Sequence, residues 1–161
     1  MTYRTHIIGG MTSALLIRDQ MSFLAEGGFT SPSFLLLMAG GILGSLLPDI
    51  DHKNSYIGRK TLGIFSFLKH RGLTHSLIFA LSILTVMLIL NINNSFTLGL
   101  FVGILSHLAL DLITHSGLEY LFYPFKFPIR LPKINPIKTG GIFEVFIFIG
   151  LVALFISMVK P

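Results

Sequence analysis

The sequence predicts an all-α fold, a polytopic helical bundle embedded in a membrane. Composition carries most of that expectation: 52% of the 161 residues are hydrophobic and only 12% are charged. Mean hydropathy is +0.79. A soluble domain carries about 25% charged residues, so this chain lacks the polar surface to cover itself in water. Distribution carries the rest, because the apolar residues gather into separate stretches of helical length. At this size the chain reads as one domain, residues 1–161.

The stretches, in order, are residues 3–17, 33–47, 76–92, 96–113 and 141–159. A span needs about 20 apolar residues, with about 17 as a lower bound. The last three pass, 33–47 is marginal and 3–17 is short. Short helices are tolerated where a bilayer thins or neighbouring helices bury them. Residues 7–17 follow Arg4 but contain glycines and polar residues, and no small-residue cleavage site follows, so no signal peptide is expected. The absence of cysteine excludes disulfides, iron–sulfur clusters and thiolate zinc sites.

Basic residues orient the bundle. Lys53, Arg59, Lys60, Lys69 and Arg71 lie between residues 48 and 74, and Lys126, Arg130, Lys133 and Lys138 between 116 and 140. With Arg4 these are ten of the twelve basic residues. Elsewhere Arg18 sits near Asp19 and Glu26, residues 91–95 are uncharged, and Lys160 is near the C-terminus. The positive-inside rule then places both long loops and the N-terminus in the cytoplasm and the C-terminus outside. Five helices satisfy this parity; with four, the second stretch would carry the 48–74 loop outward. The net charge of +5 therefore reports topology, not nucleic-acid binding.

The loop 116–140 holds Tyr120, Phe122, Tyr123, Phe125 and Phe127 among Pro124, Pro128, Pro132 and Pro136. Prolines at that density forbid a continuous helix. Aromatics interleaved with basic residues suit the headgroup layer, so the loop is expected along the inner leaflet. An ordinary structured loop is the alternative.

The six histidines and seven acidic residues fall mostly in clusters. Asp49, Asp51 and His52 follow the second helix; His70 and His75 precede the third; His107, Asp111 and His115 end the fourth. His6 begins the first helix and Glu144 the fifth, so every one of these maps to a single end of the bundle. Imidazoles and carboxylates are the ligands of hydrolytic metals, and ionisable groups near hydrocarbon are costly without a partner. His107 and Asp111, four apart, share a helix face about 6 Å apart along the axis. His115 continues that stripe, and Gly99 and Gly103 precede it at the spacing that lets helices approach closely.

Pro48, following Gly40, Gly41 and Gly44, is expected to stop the second helix and turn Asp49 and Asp51 toward one centre. Two adjacent carboxylates repel, and a divalent cation removes that penalty; an Asp N-cap is the alternative. Between His70 and His75, Arg71 and Thr74 are donors, and Arg71 suits a phosphate or a developing oxyanion. A basic juxtamembrane patch is the plainer reading there. Glu144, near a helix start, fits either a dipole-stabilised or a catalytic carboxylate. His52 is as easily a surface residue as a ligand, and His115 as easily an orienting residue.

The set Thr5-His6, Leu47-Pro48-Asp49-Ile50-Asp51-His52, His70-Arg71-Gly72-x-Thr74-His75-Ser76, Ser106-His107-x3-Asp111 and Gly140-Gly141-x2-Glu144 resembles the YdjM-like family of membrane-bound metal-dependent hydrolases. Descriptions of that family also carry the label LexA-binding, inner-membrane-associated hydrolase. The resemblance covers nearly the whole chain in the same order, and it implies a multi-helix protein of the bacterial inner membrane with a metal site. The His-x3-Asp pair is also similar to a ligand pair in zinc-dependent phospholipase C, over one helix only.

The leading expectation is therefore a multi-pass metal-dependent hydrolase with its metal site at the cytoplasmic end, acting on a lipid or lipid-linked ester or phosphoester. His6, Asp49, Asp51, His75, His107 and Asp111 are the expected metal ligands. They exceed what one tetrahedral zinc needs, so one or two divalent ions are expected. Zinc is the default from ligand chemistry, and manganese or iron would fit the carboxylates. His70 is expected as general acid or further ligand, Arg71 as the anion-binding group and Glu144 as base. The expected partner is a membrane lipid, with a cytosolic protein also conceivable and no direct nucleic-acid contact. A metal-binding scaffold without turnover is the second reading. A metal transporter is the third, because the outer half offers only Arg18, Asp19 and Glu26 for a path.

Overall fold

The computed structural model describes residues 1–20, 28–61, 64–65, 67, 70–131 and 137–159. Among them are six α-helices and, apart from one isolated Leu118–Ile129 bridge, no β-structure. The helices are α1 (Tyr3–Gln20), α2 (Pro32–Leu46), α3 (Tyr56–Lys60), α4 (Leu77–Ile89), α5 (Asn94–Leu112) and α6 (Ile142–Val159). Glu26, Lys69, Lys133 and Lys160 of the charge pattern, with Pro132 and Pro136, lie outside the described residues.

Helix starts follow local chemistry. Ser31 caps α2 by accepting from the Phe34 N–H, with Pro32 in the first turn where its missing N–H costs nothing. Ser76 caps α4 through the Phe79 N–H, and Asn93 caps α5 through the Ser95 and Phe96 N–H groups. After α2 the chain tightens into a 3-10 turn, Leu47–Asp51, with Pro48 in its first turn.

Among the described residues, three segments are long and apolar enough to cross a membrane: Pro32–Asp51, Asn94–Leu112 and Ile142–Val159. The stretch 76–92 yields only the 13 residues of α4, about 20 Å against about 30 Å of hydrocarbon. The chain turns out of the helix at Leu90 and Asn91, the latter at φ +51°. The 18-residue α1 is long enough, but glycines and polar side chains dilute its apolarity.

Glycine sets the packing. A methyl group at Gly40 or Gly44 of α2 would collide with the Phe96 or Leu100 carbonyl, and one at Gly99 or Gly103 of α5 with the Leu37 or Gly41 carbonyl. The two helices therefore meet backbone to backbone. Gly10 lets α1 join them against Gly41. Around this three-helix core, α6 leans on α1 and α4 on α5. One apolar cluster joins Ala14, Leu15, Phe34, Leu37 and Met38; another joins Ala80, Ile104, Leu108, Leu118 and Leu121.

Leu118 and Leu121 belong to the aromatic loop after α5. Leu118 and Ile129 exchange backbone hydrogen bonds, and Leu77 N–H donates to the Leu121 carbonyl. The base of the loop is thus ordinary packed structure, while Phe122, Phe125 and Phe127 at its tip are exposed.

Candidate metal centre

Four donor atoms converge where α2 and α5 end. His107 on α5 is fully buried, and its Nδ1 lies 2.7 Å from the Ser45 carbonyl oxygen. A carbonyl only accepts, so Nδ1 carries the hydrogen and Nε2 presents a lone pair. His75 closes the short 3-10 turn Leu73–His75. The Thr74 hydroxyl donates to Asp51 Oδ2 at 2.6 Å, so its oxygen accepts from His75 Nδ1 at 3.1 Å. His75 Nε2 is then a lone pair as well. The two Nε2 atoms face each other at 3.3 Å.

Two carboxylates complete the group. Asp49 Oδ1 lies 3.5 Å from His75 Nε2 and 3.8 Å from His107 Nε2. Asp111 Oδ2 lies 3.8 Å and 3.7 Å from the same atoms. Four acceptors in a buried space repel one another unless a cation sits among them. Donors held about 2.0–2.1 Å from a tetrahedral zinc are spaced about 3.3–3.4 Å apart, close to the separations here. The residues fit a divalent metal.

His6 is a neighbouring donor. Its ring stacks on His107 with centroids 3.8 Å apart and planes within 12°, and its Nε2 is 3.4 Å from Asp111 Oδ1. Its Nδ1 is buried with no hydrogen-bond partner among the described residues. With Asp49 and His107 it forms a second group able to hold an ion.

Asp51 lies one layer out. It accepts from the Thr74 hydroxyl, its Oδ1 is 2.9 Å from His70 Nδ1, and its Oδ2 is 3.8 Å from His75 Nδ1. Asp51, His70 and His75 are a third donor group. Asp49 and Asp51 therefore serve adjacent layers joined by His75, where the sequence pointed to one centre. The reason is the 3-10 turn, in which residues two apart do not share a face.

Arg71 braces the centre. One guanidinium nitrogen donates to the Gly117 carbonyl at 2.8 Å, and the other lies 3.3 Å from Asp111 Oδ2. Its backbone sits at φ +59°, which an L-residue adopts only when its surroundings hold it there. Asp111 Oδ1 also takes the Met1 ammonium at 2.9 Å.

Glu144 stands apart from the donors. Its Oε1 accepts from the Thr2 N–H, the Thr2 hydroxyl and the Thr5 hydroxyl at 2.6–2.7 Å, and its Oε2 from the Gly140 N–H at 2.7 Å. This buried carboxylate ties the first turn of α1 to the start of α6. His115 leaves the His107–Asp111 stripe, because α5 ends at Leu112; it is exposed, and its N–H donates to the Ile137 carbonyl. His52 packs against His70 with ring centroids 4.5 Å apart. Sequence reasoning gave no part to Thr2, Tyr3 or Tyr56. Thr2, one turn before His6, offered only that spacing as a signal.

Asp49 and Asp111 of the four donor residues line a cleft of about 720 Å³, together with His6, His70, Arg71 and Glu144, while His75 and His107 lie behind them. The starts of α1, α4 and α6 and the ends of α2 and α5 all gather here, so these five helices alternate in direction.

Residues 1–160 match the YdjM inner membrane protein family. The chain is 36% identical over 155 residues to Uncharacterized protein YvsG of Bacillus subtilis (strain 168), covering 94% of this chain and 89% of that protein. It is 30% identical over 163 residues to Inner membrane protein YdjM of Escherichia coli (strain K12), covering 94% and 79% respectively. No solved structure matches. A match over essentially the whole length, to a chain with three membrane-length apolar segments, leaves one conclusion: the chain belongs to the YdjM inner membrane protein family.

Proposed function

We propose that this protein is a membrane-embedded, metal-dependent hydrolase working at the cytoplasmic face on a lipid or lipid-linked ester or phosphoester. The observation that carries the reading is the pair of histidine lone pairs facing each other at 3.3 Å between two carboxylates. Met1 and Arg71 answer part of the charge on Asp111, but neither lies between the two imidazoles, and a divalent cation there would be ligated by both lone pairs and the carboxylates. A cleft lined by both carboxylates favours catalysis over a metal scaffold, since structural sites are closed by their four ligands.

His75, His107, Asp49 and Asp111 would hold the ion, with His6 beside them. A divalent cation held there supplies a water acidified to near neutrality and positive charge for the attacked group. The remaining residues orient and move protons. Asp51 and Thr74 fix the tautomer of His75. His70, with its Nδ1 on Asp51 and its side chain 40% exposed, can carry a proton on Nε2 to a leaving group. Arg71 holds Asp111 in place. Glu144, with both oxygens engaged, keeps α1 and its His6 in register.

The alternating helices support five crossings, with α4 as a short one in a thinned or protein-lined part of the bilayer. The basic loops support a cytoplasmic side for the cleft and the N-terminus.

Metal analysis of the purified protein is the direct test. We expect at least about one divalent ion per chain, lost in Asp111→Asn and in His75→Ala while the protein stays folded. A metal-free preparation that is still folded and active would sink the reading. Hydrolysis of a lipid and lipid-phosphate panel, with and without chelator, then separates an enzyme from a scaffold.

A further inference from the structure

Every carboxylate lining the cleft is engaged, whereas two of its guanidiniums have no carboxylate partner among the described residues. Asp49 faces His75 and His107, Asp111 takes Met1, His6 and Arg71, and Glu144 accepts four hydrogen bonds. Arg4 and Arg59 line the same cleft. Arg4 Nε donates only to the Tyr3 hydroxyl and Arg59 Nε only to the Asn54 carbonyl, and among the described residues neither pairs with a carboxylate. Both side chains are exposed, and among the described residues their terminal nitrogens make no hydrogen bond, so they are open to a ligand.

The two cations share one wall. Tyr3 and Tyr56 stack at 4.9 Å with planes within 15°, which brings α3 against the start of α1. Arg4 follows Tyr3 and lies over its ring, and Arg59 comes three residues after Tyr56, on the same side of its helix. From α6 the cleft is lined by Val145 and Phe148. Only 6% of that helix is buried within the protein, and much of its apolar surface, Val145 included, is exposed. The cleft therefore runs from unpaired guanidiniums to an apolar helix surface that a bilayer would cover.

We propose that this cleft binds the phosphate of a lipid phosphate ester, with Arg4 and Arg59 holding the phosphate and Val145 and Phe148 contacting the start of the lipid chain. Planar guanidinium forks match phosphate oxygens, and a neutral ester would leave both charges unanswered. A small soluble phosphate would leave the α6 wall unused. The inference deepens the hydrolase reading by naming its substrate class; it rests on that reading for the cleavage and not for the binding.

Calorimetry on the full chain in neutral detergent tests it, with three short probes: dihexanoyl phosphatidic acid, dihexanoylglycerol and inorganic phosphate. Phosphatidic acid should bind at least tenfold more tightly than either of the others. The Arg4→Gln/Arg59→Gln pair should lose at least tenfold of that affinity with metal content unchanged, and Arg59→Gln alone, on the exposed short helix, a smaller part of it. Equal binding of dihexanoylglycerol would remove the phosphate from the account. Equal binding of inorganic phosphate would make this a free-anion site, and unchanged affinity in the paired variant would overturn the assignment. The hydrolase reading fails separately, by absent metal or absent cleavage in a protein that still discriminates the probes.

Discussion

α5 and α6 are both apolar helices of membrane length, yet 61% of one and 6% of the other is buried within the protein. α5 meets α2 backbone to backbone through glycines and carries His107 and Asp111. α6 rests on α1, is pinned at its first turn by Glu144 and otherwise faces outward. The difference separates two jobs. Donors whose spacing must hold to a few tenths of an ångström sit on α5 and on the turns after α2 and before α4, around a helix pair that cannot slide. The helix with the outward apolar face is clamped at its start by Glu144 and packs along α1 only through one side, where Phe155, Met158 and Val159 meet the apolar cluster.

The largest effect should come from breaking the close pair. Gly44→Leu would drive a side chain into the Leu100 carbonyl, a backbone atom with no room to yield. Overpacking of this kind costs about 3 kcal/mol or more when backbones must separate. The variant should lose thermal stability and metal together, since Asp49 and His107 lie at the ends of the two helices being parted. Thermal unfolding in detergent alongside metal analysis checks it; retained metal would show that the donors do not depend on this packing.

Next comes the layer that orients the donors without being needed for the fold. Thr74→Val keeps the volume but removes the hydroxyl between Asp51 and His75. Losing such a partner costs about 10–100-fold in metal affinity. Competition with a chelator measures it, and the melting temperature should move little. An unchanged affinity would mean His75 is held by its turn alone.

Much of this was legible in the sequence, and the exceptions have physical reasons. The pairing of His107 with Asp111 followed from helical spacing, and the gathering of His6, His75 and Glu144 at the same end from the charges of the loops. His115 fits the same i+4 count, but spacing cannot reveal that α5 stops at Leu112. The division of labour between Asp49 and Asp51 depends on a 3-10 turn that two-residue spacing does not announce. The Thr2 and Thr5 bonds to Glu144 join residues about 140 positions apart, beyond the reach of any local pattern. The length of α4 was overestimated because apolar residues continue past the point where Asn91 takes a left-handed conformation.

The clamp on α6 is the third case. In Glu144→Gln the amide can accept at only one end, so either Gly140 or the Thr2–Thr5 group faces an N–H instead of an oxygen. One buried donor left unsatisfied costs about 1–3 kcal/mol. Hydrogen exchange should quicken at the start of α6 and in the first turn of α1, with metal content preserved. If hydrolysis vanished while exchange stayed slow, Glu144 would be a base and not a clamp.

The smallest effect, and the sharpest contrast with Gly44, belongs to Gly150 in the middle of α6. A methyl group added there meets nothing within 4 Å. The backbone entropy of glycine then dominates, and Gly150→Ala should stabilise the helix by about 0.5–1 kcal/mol. Adding side-chain atoms at a glycine would thus destabilise α2 and stabilise α6, although both are apolar helices in one small protein. Melting curves of Gly150→Ala, and of Gly44→Ala as its pair, read the two signs directly. A destabilised Gly150→Ala would mean that the outer face of α6 packs against another protein surface, because lipid chains yield to one methyl group and a fitted interface does not.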